Sequence, residues 1–235
     1  MIYGIDTMFI GYVIFIVACI ILLLSRYLSA NAFLILLGGL GAWLVYGGVL
    51  GYAGVVGDPS LRPPGPAFLL IPVFLFVALF LARSAAGERL ALSIPLWIIL
   101  AAQVFRVGVE LFLHQLWLAG MAPRMITYAG GNWDIVIGLS APVVAYLYAR
   151  RQIGERILLA WNFLGLATLA NVALRALLTA PGALNFVHAE IPNTAIGTFP
   201  FTFIPGFLAP LALVLHVMAI RALLAKLRLQ RLAPT

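Results

Sequence analysis

The chain has 235 residues, of which 64% are hydrophobic and 9% charged, with a mean hydropathy of +1.13. Soluble domains carry charge on about a quarter of their residues, so this balance excludes a water-soluble globular domain and implies an integral membrane protein. The net charge of +7 reads as a topology signal and an attraction to anionic head groups, and no nucleic-acid partner is expected.

Apolar runs of about 20 residues suffice to cross a hydrocarbon core about 30 Å thick. Seven such runs occur, at about 8–25, 33–55, 67–83, 90–119, 134–149, 157–180 and 201–222. They are continuous rather than alternating, which favours helices over a barrel. The expected fold is therefore all-α: a polytopic seven-transmembrane-helix bundle forming one domain over 1–235.

The first run lacks the basic flank and small-residue cleavage site of a signal peptide and is expected to remain as a helix. An outside amino terminus leaves Arg26, Arg83, Arg89, Arg150, Arg151, Arg156, Arg221, Lys226, Arg228 and Arg231 on the cytoplasmic side. Only Arg62 and Arg124 then lie outside, with Arg106 and Arg175 within the membrane. This positive-inside bias predicts a cytoplasmic carboxyl terminus. Compactness and short loops point to a bacterial-type inner membrane. The single cysteine, Cys19, has no intrachain partner and reads as apolar filler.

The second run carries Gly38, Gly39, Gly41, Gly47, Gly48, Gly51 and Gly54. Its small-xxx-small spacing predicts a tightly packed interior helix, and an oligomer contact through 33–55 is an alternative use of it. Gly57 to Pro66 holds four prolines and is expected to form a rigid outer loop. The third run begins at Pro66.

The fourth run is the most informative. If it is one helix from Leu90 to Ala119, it is about 45 Å long at 1.5 Å per residue, long for a single crossing. At about 100° per residue, Gln103, Arg106, Glu110, His114 and Trp117 fall within roughly 80° and make one polar stripe. Arg106 lies near the midplane, with Glu110 and His114 nearer the outer surface. Farther on, Gly130-Gly131 frees the backbone before the fifth run, with Asn132 as a helix cap, Trp133 as an interfacial anchor and Asp134 in the first turn.

The sixth run puts Thr168, Asn171 and Arg175 within roughly 60° on one face. The link from Pro181 to Pro200 holds His188 and Glu190 among apolar residues, the pattern of a lid or re-entrant segment. His216, in the inner half of the last run, stands apart.

Together these residues predict a ligand-binding set of Gln103, Arg106, Glu110, His114, Asn132, Asp134, Asn171, Arg175, His188 and Glu190, facing the outer half of the bundle. Charges at mid-bilayer are costly and need partners or water, so Arg106 is expected to pair with Glu110 and Asp134 with Arg175. The expected function is binding or transport of a small polar, anionic solute held by the two arginines. A membrane-embedded enzyme or metal site on Glu110 and His114, and a structural subunit locked by two ion pairs, are the alternatives. The lone lysine, Lys226, lies past the last run, which argues against a retinal Schiff base. No paired in-membrane histidines suggest haem, and no glycine-rich fingerprint suggests a nucleotide. The partners expected are the lipid bilayer and the solute.

Overall fold

The computed structural model describes residues 2–232, and among them the chain is helical with no strand. Helices α1 (Ile2–Tyr27) and α2 (Ala30–Tyr52) come first. Helix α3 (Ala67–Leu75) runs on through a π-helical turn, Phe76–Leu81, then bends by 88° into α4 (Ala85–Ser93). Helices α5 (Leu96–Ala102) and α6 (Phe105–Leu118) follow as one interrupted span, then α7 (Asp134–Ala149), α8 (Glu155–Leu178) and α9 (Ala209–Leu232). A second π-helical segment, Ile204–Leu208, leads into α9.

Five stretches are long and apolar enough to cross a membrane: Gly4–Tyr27, Ala30–Tyr52, Leu96–Leu118, Glu155–Leu178 and Ile204–Gln230. The protein is thus a multi-pass membrane protein. The two other expected spans differ in kind. The run at 67–83 is the first limb of the bent α3–α4 pair, and α7 has 16 residues. At 1.5 Å per residue α7 is about 24 Å long, short of a hydrocarbon core of about 30 Å.

The expected single helix over 90–119 is broken twice. Pro95 disfavours helical backbone at the residue before it, and Ile94 is extended (φ −104°, ψ 129°), so Leu90 to Ser93 belong to α4. Ser84 caps α4, its Oγ accepting from Gly87 N at 2.9 Å. Arg221 of α9 pins the bend by donating to Leu81 O, Ser84 O and Glu88 Oε2, the last at 2.6 Å. The second break is a tightened turn: Gln103 N, Val104 N, Arg106 N and Val107 N each bond three residues back. Such a turn advances by about 120° per residue, so over three residues it rotates Gln103 by roughly 60° relative to Glu110 from where a continuous α-helix would put it.

The expected interior position of α2 is also overturned. Only 6% of its apolar window is buried, against 56% for α9. Gly38, Gly39 and Gly41 face open space, and close packing begins only at Gly47, Gly48 and Gly51, against Leu69, Phe203 and Thr202. A helix apolar all round gives no sign of which neighbour, protein or lipid, will cover it. Trp43 anchors it, donating to Gly206 O at 2.6 Å in the π-helical segment before α9. The central element is α9, which packs against α8, α4 and α5.

Candidate functional site: a buried polar layer beside an apolar cavity

Arg106 sits near the middle of the Leu96–Leu118 span and is 1% exposed. Asp134, its partner, is the first residue of α7. Helix α7 therefore starts at mid-depth in the bundle, and 121–133 fill the remaining depth with two single 3-10 turns, Arg124–Ile126 and Tyr128–Gly130, joined by irregular backbone. Ala122, Ile126, Thr127 and Asn132 of this segment are all buried. The carbonyls that such short turns leave unpaired at this depth require protein partners, and two side chains supply them. Arg175 of α8 donates to Met125 O at 3.1 Å and Gly130 O at 3.2 Å, and Asn132 Nδ2 donates to Ile126 O at 2.9 Å.

The guanidinium of Arg106 forms a two-pronged pair with Asp134, Nε to Oδ2 at 2.8 Å and Nη2 to Oδ1. The same Nη2 reaches Gly165 O at 3.4 Å, and Nη1 lies 2.7 Å from His216 Nε2. A guanidinium only donates, so Nε2 accepts and the His216 proton is on Nδ1. That Nδ1 meets Asn162 Oδ1 at 2.9 Å, and Asn162 Nδ2 donates to Leu158 O at 2.8 Å. Four helices are thus tied through one chain of donors and acceptors ending on a backbone carbonyl. At Gly165 an added Cβ would come within 2.3 Å of His216 Cε1, so only glycine lets the imidazole lie flat on α8.

Glu110, one helical turn beyond Arg106, has a different environment. It is 1% exposed and makes no ion pair among the described residues. Asn132 Nδ2 lies 2.7 Å from both carboxyl oxygens while also donating to Ile126 O. An amide has two hydrogens, so a single one is left to serve the whole carboxyl group. Asn132 Oδ1 in turn accepts from Asp134 N at 3.0 Å, so it satisfies the first N–H of α7 from one residue ahead of the N-cap, Trp133.

Beside Glu110 lies a cavity of about 80 Å³ between α6, α8 and the start of α9. Its walls include Val109, Leu113, Leu169, Val172 and Leu208, with Arg106, Glu110 and Asp134 as its charged lining.

Both expected ion pairs are corrected. Arg106 turns from Glu110 to Asp134, because a carboxylate across the helix gap meets the flat guanidinium with both oxygens. Arg175 does not meet Asp134. It lies ten residues along α8 from Gly165, which is level with Arg106, and ten residues of helix span about 15 Å. It bonds instead to Asn171 Oδ1 at 2.9 Å and to the loop carbonyls, while Asn171 reaches Gly131 O at 3.5 Å.

Of the expected ligand set, Arg106, Glu110, Asn132 and Asp134 meet in one layer, and the others do not join them. Gln103 donates to Ala212 O at 3.2 Å. His114 is half-buried and stacks on Tyr128 with ring centroids 4.6 Å apart, away from the cavity lining. His188 is exposed, and Glu190 is an exposed acceptor for Arg124 N at 2.9 Å. Among the described residues no three His, Cys, Asp or Glu side chains gather as a metal ion requires, so the metal alternative is not carried forward.

Sequence reasoning missed His216 and Asn162 as partners of Arg106. Gly165 and His216 are far apart in the chain, and nothing in either run marks them as neighbours. The one available signal was that His216 and Asn162 are polar residues inside apolar runs.

Residues 64–224 match the family model described as "Domain of unknown function (DUF8737)". The matched region runs from the start of α3 through most of α9, holds every residue of the polar layer, and leaves α1 and α2 outside. No curated protein and no solved structure matches the chain. Since the match covers more than half of the chain, the protein belongs to this family.

Proposed function

We propose that this member of the family binds a small solute in the cavity at Glu110. Its setting is a seven-span bundle in a bacterial-type inner membrane, with the amino terminus outside and the carboxyl terminus cytoplasmic. The orientation rests on the positive-inside bias, because Arg26, Arg83, Arg89, Arg150, Arg151, Arg156 and Arg228 all belong to the bundle end that holds the α7–α8 turn. The seven crossings count α3 with its π-helical turn and the half-depth α7 together with the irregular segment before it.

The observation that carries the reading is Glu110: a buried carboxyl group that forms no ion pair among the described residues and faces a cavity. If Glu110 is ionised, the formal charges of Arg106, Asp134 and Glu110 leave one negative charge over. A buried carboxyl group in this position either holds its own proton or takes a partner that compensates the charge. The expected anionic solute relied on Arg106 and Arg175, but their guanidinium groups are engaged by Asp134, His216, Asn171 and backbone carbonyls. The geometry therefore favours a solute that brings donors or positive charge, of which a small primary amine with a short apolar body is the simplest case.

Binding, rather than passage, is what the packing supports. A larger cavity of about 560 Å³ opens at the α7–α8 turn beside Tyr148 and Lys226, but it shares no residue with the Glu110 cavity. Transport would require the buried Arg106–His216–Asn162 layer to open.

The test is a thermal-stability titration of the purified protein with methylammonium and butylammonium, against acetate and phosphate at matched ionic strength. Amines should raise the melting temperature of the natural protein and leave Glu110→Gln unmoved. Stabilisation by the anions alone, or equal amine effects on both proteins, would overturn the reading.

A further inference from the structure

At the end of the bundle where α2 stops and α8 stops, the loops 53–66 and 179–198 line a third space, of about 250 Å³. It is built by close backbone approach. A Cβ on Gly57 would come within 2.9 Å of Gly197 O, and one on Gly197 within 2.4 Å of Gly57 Cα, so both positions require glycine. The polar lining includes Asp58, Asn193, Thr194 and Thr198, and it contains no Lys or Arg.

Asn193 is the informative residue. It is fully buried, its N–H donates to Thr179 O at 2.9 Å, and its Nδ2 donates to Ala176 O at 3.0 Å. Its Oδ1, equally buried, has no hydrogen-bond partner among the described residues. A buried amide oxygen without a donor is destabilising, and a donor supplied from the adjoining space would offset that.

This space and the Glu110 cavity are neighbours. Ile196, 4% exposed on the short turn Ala195–Gly197, lines both. Ala176, the carbonyl partner of Asn193, lines the Glu110 cavity. Ile196 is thus the one residue that the two linings share.

We infer that the loop-end crevice is the entry subsite of the Glu110 cavity, where Asn193 Oδ1 receives a donor group of the incoming solute and Ile196 is the partition it must pass. This rests on the proposed binding at Glu110. It adds a route, and it adds that the solute meets acceptors from the rim inward: the Asp58 carboxylate, then Asn193 Oδ1, then Glu110. An amine or another donor-rich solute suits this series throughout, and an anion suits none of it.

The experiment places a thiol at the end of the route. In a Cys19→Ser background, Glu110→Cys protein in lipid nanodiscs, both faces in water, is treated with two methanethiosulfonates. One carries a fixed trimethylammonium group; the other is the small neutral methyl compound. In each case the thiolate attacks the reagent sulfur, forms a mixed disulfide and releases methanesulfinate, and intact mass reads the modified fraction with time.

The cationic reagent should react severalfold faster when Ile196→Ala is added and severalfold slower with Ile196→Phe. Asn193→Asp should speed the cationic reagent relative to the neutral one. Opposite effects of the two Ile196 variants exclude a general loosening of the fold as the cause. If the neutral reagent labels but the cationic rate ignores Ile196 and Asn193, the entry route is wrong while the Glu110 cavity stands. If neither reagent labels in any background, the cavity itself is closed and the binding proposal falls with it.

Discussion

Two carboxyl groups on adjacent levels of the bundle have opposite surroundings. Asp134 is held by two nitrogens of a guanidinium and sits on the positive end of α7, and the chain of bonds runs on through His216 and Asn162 until each donor nitrogen has at least one acceptor. Glu110, a turn away, has part of one amide and a cavity wall. The same residue chemistry thus serves as a lock in one place and remains open to a ligand in the other. The presence of an intramembrane charge does not by itself mark a site; what matters is whether its partners exhaust its bonding capacity.

The comparison is most severely tested at Arg106. Arg106→Leu strands Asp134 without its cation and should cost about 3–5 kcal/mol, seen as a large fall in melting temperature in detergent or as failure to accumulate in membranes. Adding Asp134→Leu to the same protein should recover part of that loss, because the stranded charge is then gone. If Arg106→Leu alone left the melting temperature unchanged, the layer would not be a lock.

Gly165→Ala comes next. It forces a methyl group against the His216 ring and should cost about 1–3 kcal/mol, with His216→Ala in the same chain relieving the clash though not the lost hydrogen bonds.

Glu110→Gln is the discriminating change. It keeps the shape and removes the ionisable group, so the melting temperature should stay the same or rise, while stabilisation by amines is lost. A fall as large as that of Arg106→Leu would put Glu110 in the lock and erase the contrast. The smallest effect belongs to the far side of the molecule, where Gly39→Ala on α2 meets nothing within 4 Å and should raise stability by at most about 1 kcal/mol, the helix-propensity gain of alanine over glycine, in the same assay.

Periodicity found the stripe on α6 because 3.6-residue spacing is a local property. It placed Arg106 and Glu110 in the interior, and both are 1% exposed. The same reasoning failed on their partners. Spacing within one helix proposed the Arg106–Glu110 pair, but a guanidinium bonds best to a carboxylate that faces it squarely, and that carboxylate comes from another helix. Depth estimates failed at α7 for a related reason: an apolar run of 16 residues does not reveal that its first turn begins halfway down. Pro95, by contrast, was readable as a breaker and should have divided the run at 90–119, since its effect on Ile94 is steric and local.

Composition and the lengths of the apolar runs determined on their own that the chain is helical and enters the membrane many times, because water and hydrocarbon sort residues by transfer energy whatever their neighbours. They also determined which helix carries the buried charges. The tertiary structure alone decided that α2 lies at the edge, that α9 lies at the centre, that His216 completes the Arg106 layer and that Glu110 is left facing a cavity. Those outcomes depend on the depth and rotation at which helices meet. A uniformly apolar surface encodes neither, so packing shape and the direction of a few hydrogen bonds fix both.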